Sequence, residues 1–267
     1  MNPFVFSCIT PHGGEIIPEL AGREPMRMSQ SRDSLRTLGD GMDSANPETI
    51  IYLTPHGVRA RNAFSIADSE RMRGSVEEQG TTFSVDVVVD RELAAAIADE
   101  ARETGLPVAH LNYATSAGPA SCLPLDWGVI VPLRFMPEVP VVVITTCYEL
   151  PFEQHRAMGA AISRAVVASG RRVGLVASCD WAHTHDASGP YGFSPLAARL
   201  DARVVELVKT NRLEELAEFD PEFVDAAKPD GIWQAMVLAG AVAAPDRQVE
   251  FLSYEAPTYF GLLCARV

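Results

Sequence analysis

Residues 49–57 read Thr49-Ile50-Ile51-Tyr52-Leu53-Thr54-Pro55-His56-Gly57. The last four have one earlier copy, Thr10-Pro11-His12-Gly13, behind Phe4-Val5-Phe6-Ser7-Cys8-Ile9. Each copy follows a short apolar run rich in β-branched and aromatic residues and stopped by Pro and Gly, which is the pattern of a buried strand. Two strands therefore end alike, each delivering an imidazole at its exit. Val139-Pro140-Val141-Val142-Val143-Ile144-Thr145-Thr146 is apolar without alternation, as expected of a central parallel strand buried on both faces. Arg172 to Ala177 predicts the next strand, and Gln248 to Tyr254 the last main one.

Helical signals separate these runs. Ser29 to Ala45 carries Leu35, Leu38 and Met42 at spacings of three and four and stops at Asn46-Pro47. Asp90 predicts an N-cap for a helix from Arg91 to Thr104 that Gly105 ends. Phe152 to Ser169 is closed by Gly170, and Ser194-Pro195 starts a helix running to about Thr210. Short acidic helices are expected within 211–228 and an apolar helix over 231–244. Phe64-Ser65-Ile66 and Thr81 to Val89 read as strands of an antiparallel excursion, with a polar stretch between them. Residues 110–127 read as a long irregular segment, and 128–135 as a helical turn covering the sheet. Strand and helix alternating predicts an α/β fold: one domain over 1–267, with a central, mostly parallel but mixed sheet and helices on both faces.

Net charge is −13, from 22 basic and 35 acidic residues, and no basic run could neutralise phosphates. Nucleic acid is therefore not an expected partner. No apolar stretch reaches the roughly 18 residues of a membrane span. Met1-Asn2-Pro3-Phe4 lacks the basic region of a signal peptide. Five scattered cysteines without a C-x-x-C spacing fit a reducing cytoplasm.

Ligands of open α/β sheets bind beyond the carboxyl ends of the strands. His12, His56, Glu255 and the pair His183 and His185 each stand just past a predicted strand, which takes in four of the six histidines. Two imidazoles and a carboxylate form a facial triad with open positions, the donor set of non-haem Fe(II) oxygen chemistry. On that basis His12, His56 and Glu255 are the candidate metal ligands. A remaining histidine near neutral pKa is a candidate acid or base, and a spacing of two cannot choose between His183 and His185. His110 and His155 read as structural, the latter on a helix surface. Trp127, Tyr254 and Tyr259 are candidate pocket walls.

These residues resemble the class III extradiol ring-cleavage dioxygenases, of the protocatechuate 4,5-dioxygenase catalytic-subunit type, over nearly the whole chain. The likeness rests on the two Thr-Pro-His-Gly copies, Pro132-Leu133-Arg134, Asp180-Trp181-Ala182-His183 and Ser253-Tyr254-Glu255. It implies Fe(II) on His12, His56 and Glu255, with Zn or Mn as alternatives, and His183 rather than His185 as acid/base. It further implies a small aromatic diol or 2-aminophenol with O₂ as substrates, a homo-oligomer, and room for a small partner subunit. Family members often carry Asp-His-Gly where this chain has Asp126-Trp127-Gly128, so a second active-site histidine is missing or replaced by His110 or His185. Two rival readings use the same residues: a zinc hydrolase, and a metal-free scaffold or binding protein of the same fold.

Overall fold

A computed structural model describes residues 2–267. The two Thr-Pro-His-Gly copies follow strands β1 (Phe6–Thr10) and β2 (Thr49–Thr54), both buried throughout. Helix α1 (Ser29–Ser44) joins them, with Leu35, Leu38 and Met42 on its buried face. Strands β3 (Phe64–Ala67), β4 (Arg71–Glu78) and β5 (Thr81–Val88) follow. Then come α2 (Arg91–Glu103), β6 (Val108–Leu111), β7 (Cys122–Pro124) and α3 (Trp127–Leu133). The C-terminal half holds β8 (Val141–Thr145), α4 (Phe152–Ser169), β9 (Val173–Ser178), α5 (Leu196–Lys209), α6 (Pro221–Ala227), α7 (Ile232–Ala241), β10 (Glu250–Glu255) and β11 (Leu262–Arg266).

Local chemistry sets several boundaries. Asp90 accepts from Leu93 N–H and starts α2, as its position predicts. Gly170 closes α4 with φ +63°, a left-handed conformation that glycine adopts without strain. Ser194 Oγ accepts from Leu196 N–H at the start of α5.

The main sheet has the order β10-β11-β1-β9-β2-β8-β3-β6. Strands β1, β9, β2 and β8 pair in parallel at its centre, while β11 and β3 pair antiparallel on either side. Helices α2, α4, α5 and α7 bury one face and α1 and α3 the other, giving two apolar cores with the sheet between them. The expected α/β architecture with a mixed, mostly parallel sheet is what the structure contains.

Three elements differ from expectation. The polar stretch before Thr81 is strand β4, which pairs with β5 and β7 in a separate three-stranded sheet. The segment 110–127 is shorter on irregular structure than predicted, because β6 and β7 occupy its ends. An additional strand, β11, follows Glu255 and inserts between β10 and β1. His155 is fully buried in α4, between Phe64 and Phe152, rather than on the helix surface.

Register brings the strand exits together. Thr10 lies level with Ser178, and Leu53 with both Ala177 and Ile144. His12, Asp180 and His56 each lie two residues beyond the ends of β1, β9 and β2, so they leave the sheet side by side.

Candidate metal centre

His12 Nε2 lies 3.1 Å from His56 Nε2 and 3.2 Å from Asp230 Oδ2, and His56 Nε2 is 3.3 Å from the same oxygen. Among the described residues these three donors converge closely enough to share an ion. Ligands about 2.1 Å from one cation would span roughly 3.0 Å in an octahedral face and roughly 3.4 Å in a tetrahedral one. The observed triangle falls between those limits, so its spacing fits a metal.

The tautomer fits as well. Ser178 Oγ donates its one proton to Gly128 O, so it accepts from the His12 Nδ1–H at 3.0 Å. That leaves the Nε2 lone pair of His12 facing the triangle, the arrangement in which an outer partner fixes a ligating imidazole. His12 N–H also donates to Asp180 Oδ1 at 2.9 Å, which pins the turn after β1.

Asp230 comes from the turn before α7. Its Oδ1 accepts from Asp180 N–H at 2.9 Å, and Gly231 N–H donates to Asp180 O. A Cβ on Gly231 would lie 2.6 Å from Cys179 Cβ, so glycine here permits the close approach that aims Asp230 inward. His56 is held differently. The exposed Trp127 stacks on its ring, with centroids 4.1 Å apart and planes 25° apart. Its N–H donates to Thr54 Oγ1, which in turn donates to Asp126 Oδ1.

The field around this triangle favours positive charge. Burial opposes a charged His12, but Asp180, Asp230 and Asp126 outweigh it and hold its pKa up to about 9. Burial likewise opposes the Asp230 carboxylate, and His12, His56 and His183 outweigh it to keep that group below the usual carboxylate range. Burial and the nearby Asp230 push Asp180 up, against the pull of His12. A metal binding here takes the place of protons that the same carboxylates attract.

A cleft of about 810 Å³ opens over the triangle, and His12, His56, His183, Trp127, Tyr259 and Asp180 are part of its wall. His183 Nε2 points to Asp230 Oδ2 from 3.9 Å, beside the triangle rather than in it. Its ring lies parallel to Phe260, 5.5 Å away and inclined by 13°.

The structure therefore unites His12, His56 and His183 and places Trp127 and Tyr259 in the same cleft. It does not bring Glu255 there. The Glu255 carboxylate accepts from Ser31 N–H at 2.7 Å and Ser31 Oγ at 2.6 Å, at the start of α1. The expectation that Glu255 stands with the two histidines is corrected: β11 separates its strand from β1, and the carboxylate that meets His12 and His56 is that of Asp230. His185 and Tyr254 are not pocket walls either, because both bond to buried Asp201. His110 sits on the edge strand β6 beside Asp68 and is not part of the cleft wall.

Residues 7–261 match the family model described as the catalytic LigB subunit of aromatic ring-opening dioxygenase. The chain belongs to this family. Among LigB relatives, the 2-aminophenol 1,6-dioxygenase beta subunit of a Pseudomonas species is 24% identical over 236 residues, covering 80% of this chain and 75% of that protein. Protein CA_C1420 of Clostridium acetobutylicum is 25% identical over 252 residues, 92% of this chain. The chain spans only 54% of that protein's length. The crystal structure of protein JW3007 from Escherichia coli K12 shares the fold, with a TM-score of 0.63 at 17% identity over 98% of this chain and 99% of the other. Membership in LigB carries dioxygenase-type chemistry on aromatic rings at the level of the family, and the His/His/Asp triangle is consistent with the metal such enzymes use.

Proposed function

We propose that this chain is an Fe(II)-dependent extradiol dioxygenase that opens a catechol-type or 2-aminophenol-type ring with O₂. The observation that carries the reading is the triangle of His12, His56 and Asp230, with His183 standing at its edge inside one cleft. Two imidazoles and one carboxylate leave a face free for other ligands, and this donor set suits non-haem Fe(II), with Zn or Mn as alternatives. Bound there, the metal would supply the template and the electron path on which ring and O₂ meet.

The chain's own residues supply the rest. His183 Nε2 is the group placed to take a proton from a substrate hydroxyl and later return it. Trp127 and Tyr259 offer apolar surface to the ring from opposite parts of the chain. Ser178 holds the His12 tautomer, and Asp180 anchors both the His12 and Asp230 turns. Near-complete burial of His12 keeps bulk water from that side of the centre. The likeness to a beta subunit supports a partner subunit, in addition to association of like chains.

The test is an anaerobic preparation loaded with Fe(II), then exposed to O₂ with a panel of catechols and 2-aminophenol. The expected result is O₂ uptake with a yellow ring-opened product from at least one member. Absence of both across the panel, with zinc retained by the protein as isolated, would favour a hydrolase on the same donors. Absence of both with no metal bound would favour a scaffold.

A further inference from the structure

Most acid/base histidines are aimed by a partner on the second ring nitrogen. His183 has none: its Nδ1 is buried without a hydrogen-bond partner, and Tyr191, Tyr259 and Phe260 pack around its ring. Its aim must therefore come from the backbone on either side. Among the described residues, the charged side chain bonded to both sides is Asp201, on α5 and 1% exposed. Asp201 Oδ1 accepts from Ala182 N–H at 2.9 Å, one residue before His183. Asp201 Oδ2 accepts from His185 Nε2 at 2.8 Å, two residues after it. Tyr254 O–H donates to the same Oδ2 at 2.7 Å from the neighbouring β10.

We infer that Asp201 is the positioning residue of His183, acting through Ala182 and His185, with Tyr254 as the brace that holds its carboxylate in place. The inference rests on the reading of His183 as the acid/base. A carboxylate is expensive to bury unless its hydrogen bonds are met, and here three donors from two parts of the chain converge on it. The packing is arranged around it as well: a Cβ on Gly261 would lie 2.1 Å from Asp201 Oδ2, so residue 261 has no side chain. Gly261 N–H also donates to Ala182 O, tying the same segment down from the C-terminal side. His185 thus has a role that keeps it out of the cleft: it completes the clamp instead of meeting substrate.

Asp201→Asn puts a donor where Oδ2 accepts two, so the clamp loosens without a change in side-chain size. The expected result is an unchanged metal content and a KM for catechol within about twofold, with kcat lower by roughly 10–100-fold. The His183 ring should also show altered ¹⁵N imidazole resonances in zinc-loaded, histidine-labelled protein, identified by their loss in His183→Gln. A role in stability alone leaves kcat per folded molecule and those resonances as in the parent, and that result overturns the inference. Metal loss in proportion to activity overturns it too. Should Asp201→Asn fail to fold, Tyr254→Phe and His185→Leu each remove one donor and keep the bond to Ala182. A fall in kcat beyond about twofold at unchanged KM in both supports the clamp, and parental kcat in both overturns it. If the parent protein opens no ring at all, the dioxygenase reading fails by itself, while the His183 resonances still decide whether Asp201 aims that ring.

Discussion

Asp230→Ala takes one corner from the donor triangle and leaves His12 and His56 facing each other without their shared carboxylate. Stoichiometric metal content, measured after dialysis by elemental analysis, should be lost in this variant. The same measurement on Glu255→Ala should return the parental value, because that carboxylate is committed to Ser31. Retention of metal by Asp230→Ala, or its loss in Glu255→Ala, would reverse the ligand assignment. Ser178→Ala is a subtler case. It removes the acceptor that holds the His12 Nδ1–H, and loss of such an outer partner typically weakens metal binding by about 10–100-fold. Competition against a chelator of known affinity reads that change directly. An unchanged affinity would mean that the imidazole is aimed by its packing alone.

Elements explain why the sequence points to Glu255 and gives no local sign of Asp230. Parallel strands with aligned registers can be recognised from their apolar runs, and the two Thr-Pro-His-Gly turns mark where those strands stop, so His12 and His56 were legible. Asp180-Trp181-Ala182-His183 follows β9 by the same logic. Glu255 also leaves a strand at the correct end, but β11 lies between β10 and β1 and displaces it sideways by two strand spacings, about 10 Å. Strand order is a long-range property that no local run encodes. Asp230 lies in Lys228-Pro229-Asp230-Gly231, which locally reads as the ordinary start of a helix, and a ligand there looks like any acidic residue near an N-terminus. Strand β4 was hidden because Met72 and Val76 are its only large buried side chains, spaced by glycine and charges. For Glu255 the element view supplies a positive role. Its carboxylate satisfies an orphan N–H in the first turn of α1 from a neighbouring strand. Glu255→Ala should therefore cost about 1 kcal/mol of stability in chemical denaturation while leaving metal content intact. Parental stability would show that water replaces the carboxylate without loss.

Across the whole molecule, the sheet separates two apolar cores, and the one beneath α2, α4, α5 and α7 encloses His155. That histidine has no part in the cleft, so its titration reports on folding alone. His155 Nδ1–H donates to Pro151 O at 3.0 Å, and Nε2 is buried without a partner. Burial is the main reason its pKa falls from 6.5 to about 4, with only partial compensation from the Pro151 and Cys147 backbone. The sign of the linkage follows. Above about pH 6.5 both folded and unfolded chains hold this imidazole neutral, and the fold loses nothing to it. Between 6.5 and 4 the unfolded chain binds a proton that the folded one refuses, so stability falls as pH falls, by up to about 3 kcal/mol at the acid end. Carboxylates contribute to acid unfolding as well, but they do so in parent and variant alike. His155→Phe keeps an aromatic ring against Phe64 and Phe152 and removes the titration. Denaturant unfolding at pH 7.5 and at pH 4.5 should show a smaller loss of stability on acidification in the variant than in the parent. Equal losses would mean that His155 is protonated in the fold at acid pH and that water reaches the core beneath α4. A smaller loss shows that this core stays closed to water and protons at acid pH.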